Sequence, residues 1–114
     1  MFQISLHKKD KALLDLIRNS AGSNKSIILK ENRSRSGIYI LINLLNDKVY
    51  IGSAQNISKR FNQYFNPNYL ERNTSMPICQ ALLKHGYENF SFSILEYCEV
   101  KVLMDREGYY LNLL

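Results

Sequence analysis

Four stretches of the chain combine alternating apolar and polar residues with β-branched or aromatic side chains, and each predicts a β-strand. They are residues 2–6, 37–43, 48–53 and 89–97. Asn46 and Asp47 separate the second stretch from the third and have the composition of a tight turn. We therefore expect residues 37–53 to form a β-hairpin.

The hairpin prediction fixes a register and two faces. A two-residue turn at 46–47 would pair Leu41 with Gly52 and Asn43 with Tyr50. Alternation then places Tyr39 and Tyr50 on one face of the sheet. The other face is wholly aliphatic, and we expect it to be the core. Its residues are Ile38, Ile40, Ile42, Val49 and Ile51.

Helical periodicity and capping residues predict four helices. The first begins at Asp10. The second covers 57–65 after an Asn56 cap, and the third covers 76–85, with Thr74 or Ser75 as its cap and Gly86 as its stop. The last begins near Val100 and runs to the end of the chain. The segment between the second and third helices is rich in Asn and Pro and is expected to be a loop.

The order of these elements predicts an α+β fold with a small three-stranded, mainly antiparallel sheet flanked by helices. A chain of 114 residues is long enough for one core and short for two. We expect an N-terminal strand-helix appendage over residues 1–36 and a domain over 37–114. The apolar runs are too short to cross a membrane.

The net charge of +5 is concentrated near the N-terminus. Residues 1–36 contain eight basic and three acidic side chains, and residues 37–114 contain seven of each. This distribution is typical of a basic arm that contacts nucleic acid phosphates. A soluble tail without a ligand explains the charge equally well.

The cysteines and histidines do not form a recognisable metal or disulfide pattern. Cys79 and Cys98 lack the spacing of a zinc site or a disulfide framework, so we expect buried thiols in a reducing compartment. His7 and His85 are isolated, and His85 is expected at a helix C-terminus. Gly52 is not followed by the Lys of a phosphate-binding loop.

Two charged residues fall where apolar residues are expected. Arg60 lies at the edge of the helical stripe of Ile57, Phe61 and Tyr64. Glu107 lies at the centre of a second apolar stripe in the last helix, formed by Val100, Leu103, Met104, Leu111 and Leu114. A carboxylate there needs a cationic partner. Either an Arg60–Glu107 ion pair or a metal ion would provide one.

A family resemblance joins these features. The chain contains GIY at 37–39, YIG at 50–52, Arg60 eight residues later, and Glu107 within DREGYYL. Together they resemble the GIY-YIG nuclease superfamily. Residues 36–114 are most similar to the GIY-YIG homing endonucleases of fungal mitochondrial introns. The similarity is carried by KVYIGSAQNISKRF, ALLKHGYENFSFSILEYC and REGYYLNLL.

The resemblance implies a DNA endonuclease that hydrolyses phosphodiester bonds of double-stranded DNA with one Mg²⁺ or Mn²⁺ ion and no small-molecule cofactor. The family motifs correspond to catalytic residues Tyr39, Tyr50, Arg60 and Glu107. Glu107 would hold the metal and Arg60 would stabilise the phosphate. Tyr39 would act as general base beside Tyr50. The resemblance further implies a monomer encoded in a mitochondrial genome, with no membrane attachment.

Three departures keep other functions open. Tyr64 replaces a family His one turn after Arg60. The C-terminal strand of the family and its separate DNA-binding region are not present. We therefore expect a domain that is truncated at its C-terminal end and whose independent activity is uncertain. Residues 2–22 weakly resemble a fragment of a LAGLIDADG homing endonuclease. Two alternative functions stay open. One is a catalytically weak or inactive nucleic-acid-binding remnant of a mobile element, and the other is a structure-specific DNA repair nuclease.

Overall fold

A computed structural model of the chain describes the backbone of residues 2–4 and all of residues 25–113. Four antiparallel strands form one sheet in the order β1-β3-β2-β4. The strands are β1 (Phe2–Ile4), β2 (Gly37–Asn43), β3 (Val49–Ala54) and β4 (Phe90–Tyr97).

Five helices are described, together with two short 3₁₀ turns at Tyr87–Asn89 and Val100–Val102. The helices are α1 (Lys25–Glu31), α2 (Ile57–Tyr64), α3 (Pro67–Arg72), α4 (Pro77–His85) and α5 (Leu103–Leu113). No helix among the described residues has the length and apolar character needed to traverse a bilayer.

The predicted fold class is confirmed: strands β2, β3 and β4 form the expected antiparallel sheet with flanking helices. The first predicted strand adds a fourth, edge strand, because residues 2–4 pair with β3. The helix predicted from Asp10 lies outside the described residues. The division into 1–36 and 37–114 stays a prediction.

The predicted hairpin register is wrong by two residues. Tyr39 pairs with Gly52, and Leu41 pairs with Tyr50. The reason is a four-residue loop in place of the two-residue turn. The Asn43 amide donates to the Lys48 carbonyl at 2.9 Å, and Asp47 adopts a left-handed φ of 62°. Since the shift is even, each side chain keeps its predicted face.

The prediction that the aliphatic face alone forms the core is wrong, because both faces of the sheet are buried. The aliphatic face packs against Leu103 of α5. The face that carries Tyr39 and Tyr50 forms the larger cluster, with side chains from α2, α3 and α4. Because side chains cover β2 on both faces of the sheet, all seven of its residues are buried.

Two capping signals, at Asn56 and Gly86, are confirmed, but helices α1 and α3 were not predicted and the predicted cap of α4 is wrong. Asn56 caps α2 by accepting from the Lys59 amide at 3.1 Å, and Gly86 ends α4 with a φ of 80°. The segment predicted as a loop contains α3. There Asn66 accepts from the Asn68 amide, and Pro67 occupies the first turn, where a proline is tolerated. Met76, rather than Thr74 or Ser75, precedes α4.

The apolar stripe predicted in the last helix is only partly correct. Leu103 is buried, but Met104 is 85% exposed and Val100 is 49% exposed. Leu111 of the predicted stripe does pack against the aliphatic sheet face, together with Tyr110, which lies outside the stripe. A 3₁₀ turn at 100–102 precedes α5 and changes the rotation of the helix, so the heptad count from Val100 does not hold.

Candidate active site

The glycine of the YIG motif is required by the ring of Tyr39. Tyr39 pairs with Gly52 across β2 and β3, and its ring lies over that glycine. A Cβ on Gly52 would lie 2.5 Å from the Tyr39 hydroxyl oxygen and 2.6 Å from Cζ. Any larger residue would displace the ring. The GIY and YIG motifs therefore meet in space at this contact.

A second close approach explains the glycine of the GIY motif. A Cβ on Gly37 would collide with the carbonyl oxygen of Glu96 and the Cα of Tyr97 in β4. The register of β2 against β4 is irregular next to this contact, between Ile38 and Tyr39. Gly37 thus allows the strand that carries Tyr39 to pair with β4.

The Tyr39 phenol has a fixed partner in Tyr64. The two hydroxyl oxygens lie 3.0 Å apart in a hydrogen bond, and both side chains are fully buried. Phe61 packs edge-on against Tyr39 with ring centroids 5.3 Å apart. Phe61 and Tyr64 belong to the predicted apolar stripe of α2, so the helix that supplies Arg60 also positions Tyr39.

Arg60 is half-buried on α2 and interacts with the hydroxyl groups of both Tyr39 and Tyr64. Burial by itself lowers the pKa of Arg60, but the two phenol oxygens outweigh it and raise the pKa above its ordinary value. The guanidinium therefore stays charged at any working pH.

The two buried phenols hold their protons. Burial raises the pKa of Tyr39 far above that of a free phenol, the Tyr64 hydroxyl raises it further, and Arg60 offsets only part of the increase. Burial likewise raises the pKa of Tyr64. In this conformation Tyr39 is a neutral phenol, which opposes the phenolate form that its predicted role as general base requires.

Arg60 lines an open groove of about 700 Å³. The end of β3, the first turns of α2 and the start of α5 form its walls. The lining includes polar side chains of Gln55, Asn56 and Gln63 and apolar side chains of Val100, Leu103 and Met104. Arg60 is thus accessible from solvent on one side and in contact with the phenols on the other.

Tyr50 lies on the same sheet face as Tyr39 but next to a different groove. It is nearly buried, and its ring centroid lies 6.4 Å from that of Phe90. It lines a groove of about 210 Å³ together with Lys48 and with residues of α4 that include Lys84. Burial raises the pKa of Tyr50, so this phenol is also neutral.

Glu107 lies half-buried on α5, the helix that covers the aliphatic face of the sheet. Leu103, one turn earlier on the same side of α5, lines the Arg60 groove. The ion pairs found between described residues are Arg106 with Glu96 and Lys101 with Glu99. The alternative of an Arg60–Glu107 ion pair is not among them.

The structure thus brings Tyr39, Arg60 and Tyr64 into one group. Tyr50, which lines a different groove, and Glu107, whose helix covers the opposite face of the sheet, lie outside that group. Sequence reasoning assigned no chemical role to Tyr64. Its position four residues after Arg60, on the same side of α2, is the signal that could have identified it.

The described residues contain no group of three or more His, Cys, Asp or Glu side chains that would enclose a metal ion. Magnesium is commonly held by one or two carboxylates together with water and substrate phosphates. A single carboxylate at Glu107 is compatible with that kind of site. Cys79 is buried as predicted, and Cys98 is half-buried; both are free thiols.

Comparison with known proteins identifies the family. Residues 35–114 match the GIY-YIG catalytic domain. The chain belongs to the GIY-YIG family. This confirms the resemblance drawn from the motifs.

The GIY-YIG chain is similar to several intron endonucleases. It is 35% identical over 80 residues to Intron-associated endonuclease 1 of Enterobacteria phage T4, covering 68% of this chain and 32% of that protein. It is 33% identical over 103 residues to Probable intron-encoded endonuclease 1 of Neurospora crassa, covering 82% and 32% respectively. The chain spans about a third of the length of these curated relatives.

Solved structures of the same family have the same fold. The catalytic domain of the homing endonuclease I-TevI is 36% identical, with a TM-score of 0.56 over 70% of this chain and 88% of that one. A mutant of that catalytic domain gives a TM-score of 0.57 over 70% of this chain and 84% of the other. These similarities support the assignment of the three-stranded GIY-YIG sheet and its helices.

Proposed function

We propose that this GIY-YIG domain is a metal-dependent endonuclease that hydrolyses phosphodiester bonds of double-stranded DNA. The observation that carries the proposal is the position of the charged Arg60 side chain, at the wall of an open groove and next to the hydroxyl groups of two buried phenols. A cation at the wall of an open groove is suited to bind an anionic substrate.

Arg60 would bind the non-bridging oxygens of the scissile phosphate. Its planar guanidinium can donate two parallel hydrogen bonds to a phosphate, and the contacts with Tyr39 and Tyr64 reduce the freedom of the side chain. Negative charge on these oxygens increases as water attacks. Because Arg60 is already oriented, it stabilises this charge without a reorganisation cost.

Tyr39 and Tyr64 would orient Arg60 as neutral phenols. A phenol can donate one hydrogen bond and accept others, so it can position the guanidinium without giving up its proton. The general-base role of Tyr39 stays a prediction of the resemblance. Tyr50, on the same sheet face, would contact the substrate from the groove that it lines with Lys48 and Lys84.

Glu107 would hold the metal ion, with Mg²⁺ or Mn²⁺ as the candidates. A bound divalent ion would polarise the phosphate and stabilise the leaving 3′ oxygen. A half-buried Glu107 without an ion-pair partner among the described residues would be available for this role. Its helix reaches the Arg60 groove through Leu103.

The names of the relatives support a more specific assignment. The phage protein and the Neurospora proteins are intron-associated or intron-encoded endonucleases. We propose that this chain is likewise part of an intron-encoded homing endonuclease that acts as a monomer. The fungal relatives support a mitochondrial location, whereas the phage relative shows that the family extends beyond fungi.

A plasmid-nicking assay tests the proposal. Wild type, Arg60→Ala and Glu107→Ala are incubated with supercoiled plasmid in Mg²⁺, with an EDTA control. The proposal predicts nicking by wild type only in the presence of metal, and loss of nicking in both variants. Salt-sensitive DNA binding by wild type without nicking would contradict it and favour the inactive remnant. Preference for branched substrates would favour a repair nuclease.

A further inference from the structure

A strip of basic side chains extends from Arg60 across α2 to residues that precede the matched family domain. Two grooves, of about 700 Å³ and about 520 Å³, share Asn56 and Lys59 in their linings. Arg60 lines the first groove and Arg33 lines the second. The charged residues that line either groove are all basic, so nothing in the two linings opposes a polyanion.

Residues 29–34 form one wall of the second groove and are fixed to α2. The Ser58 hydroxyl donates to the Leu29 carbonyl at 2.7 Å, and the Ser58 amide donates to the Asn32 carbonyl at 3.3 Å. The Tyr97 hydroxyl donates to the Asn32 side chain at 2.6 Å. Ile28 and Leu29 pack against the larger core. This segment is therefore a fixed part of the described structure.

Arg33 is the basic residue of this segment that lines the groove. The guanidinium of Arg35, two residues later, lies 3.8 Å from the centre of the Tyr97 ring and is used in that contact. Arg33 and Lys59 are both exposed, and Ser34 turns the chain away with a left-handed φ of 57°. The groove also presents the side chains of Ser58 and Asn62 as neutral hydrogen-bonding groups.

We propose that Arg33 and Lys59 bind the phosphates that neighbour the scissile phosphate at Arg60, so that the DNA backbone follows the two grooves along α2. This inference rests on the proposed function, because it assumes that Arg60 marks the scissile phosphate. DNA fits the strip because its backbone presents anions at regular short intervals. Phosphate contacts of this kind position the duplex and carry no sequence specificity.

Fluorescence anisotropy of a labelled DNA duplex over 50–200 mM salt tests the inference. The variants are Arg33→Ala, Lys59→Ala, the double variant, and Arg33→Lys, which keeps the charge. Arg72→Ala is the matched control, because Arg72 is exposed on α3 and lines neither groove. Thermal melting of each variant verifies that it is folded.

Each alanine variant should bind more weakly and reduce the slope of log K against log salt by about 0.9, the value for one phosphate contact. The affinity ratio of wild type to variant should then change about threefold to fourfold between 50 and 200 mM salt. Arg33→Lys should regain most of the slope, and Arg72→Ala should match wild type.

The same variants distinguish this inference from the proposed function. If wild type nicks DNA while Arg33→Ala and Lys59→Ala keep the wild-type salt slope, the strip proposal is wrong and the nuclease stands. If wild type does not nick DNA but both variants show a smaller slope of log K against log salt, the strip stands as a binding surface and the nuclease proposal fails. Tighter, strip-dependent binding of duplex RNA of the same sequence would overturn the assignment to DNA.

Discussion

Replacing Gly52 with alanine tests the contact that joins the two motifs of the family. The new Cβ would lie 2.5 Å from the Tyr39 hydroxyl oxygen and 2.6 Å from Cζ, whereas ordinary contacts are 3.4–4 Å. The ring must therefore move by about 1 Å. Phe61 and Tyr64 pack against Tyr39, so the ring cannot move freely.

Over-packing of this kind costs about 1–3 kcal/mol. In a domain of this size each kcal/mol lowers the melting temperature by roughly 4 °C, so Gly52→Ala should melt roughly 4–12 °C below wild type. The same shift moves Tyr39 away from Tyr64 and disturbs Arg60. A displacement of about 1 Å in a catalytic group can reduce the rate by ~10²-fold, and nicking should fall by that order.

The matched control is Gly108→Ala. Gly108 lies inside α5, and a Cβ there would meet nothing within 4 Å. It should stabilise the domain by about 0.5–1 kcal/mol, because alanine favours a helix over glycine. Urea denaturation and thermal melting of both variants measure the difference. A Gly52→Ala variant as stable and as active as wild type would refute the close approach of Tyr39.

Three further outcomes follow from the buried groups. Tyr64→Phe removes the hydrogen-bonding partner of Tyr39 and should lower the free energy of unfolding by about 1 kcal/mol in urea titrations, whereas an unchanged value would mean that the 3.0 Å contact contributes nothing. Because burial raises the pKa of both Tyr39 and Tyr64, the unfolded state loses these protons near pH ~10 while the folded state keeps them. The free energy of unfolding should therefore be insensitive to these groups below about pH 10 and should fall above it by up to ~1.4 kcal/mol per pH unit for each tyrosine. Tyr39→Phe should reduce the pH slope of the unfolding free energy above pH ~10 by the contribution of one tyrosine. A slope equal to that of wild type would count against a protonated Tyr39. Asn32→Ala leaves the Tyr97 hydroxyl without its partner and should destabilise the domain by about 1–2 kcal/mol, with faster proteolysis of residues 25–34 than in wild type.

The sequence predicted the parts of the fold that depend on local patterns. Strand alternation placed Tyr39 and Tyr50 on one face, and the α2 stripe placed Phe61 and Tyr64 in the core. Asn56 as a cap and Gly86 as a stop were identifiable because each has a specific local chemistry. The motif spacing was sufficient to identify the family.

Features that depend on tertiary packing were missed. The hairpin register depended on a four-residue loop in which the Leu45 amide donates to the Asn43 side chain at 2.9 Å, and a turn signal at 46–47 does not define loop length. Helix α3 has only six residues and gives no periodic signal. The orientation of α5 depends on the 3₁₀ turn before it, which the apolar pattern does not reveal.

The members of the candidate site were predictable only in part, and the protonation of its phenols was not predictable. The motifs identified Tyr39 and Arg60, whose proximity the structure shows. Burial of the phenols in the larger core determines that they are neutral, and nothing in the strand pattern indicates that this face is covered. The sequence places Tyr64 in the apolar stripe of α2 and at the position of a family His, but it does not reveal the hydrogen bond to Tyr39, which links residues 25 positions apart.

The most direct test of the central claim is the cleavage rate constant of Arg60→Lys and Arg60→Ala with the DNA saturated by protein. Saturation removes differences in binding, so the rate reports only the stabilisation of the reacting phosphate. The account predicts that both variants are slower by ~10²-fold or more, since lysine keeps the charge but lacks the planar pair of donors held by the two phenols. Cleavage by either variant at the wild-type rate would contradict it.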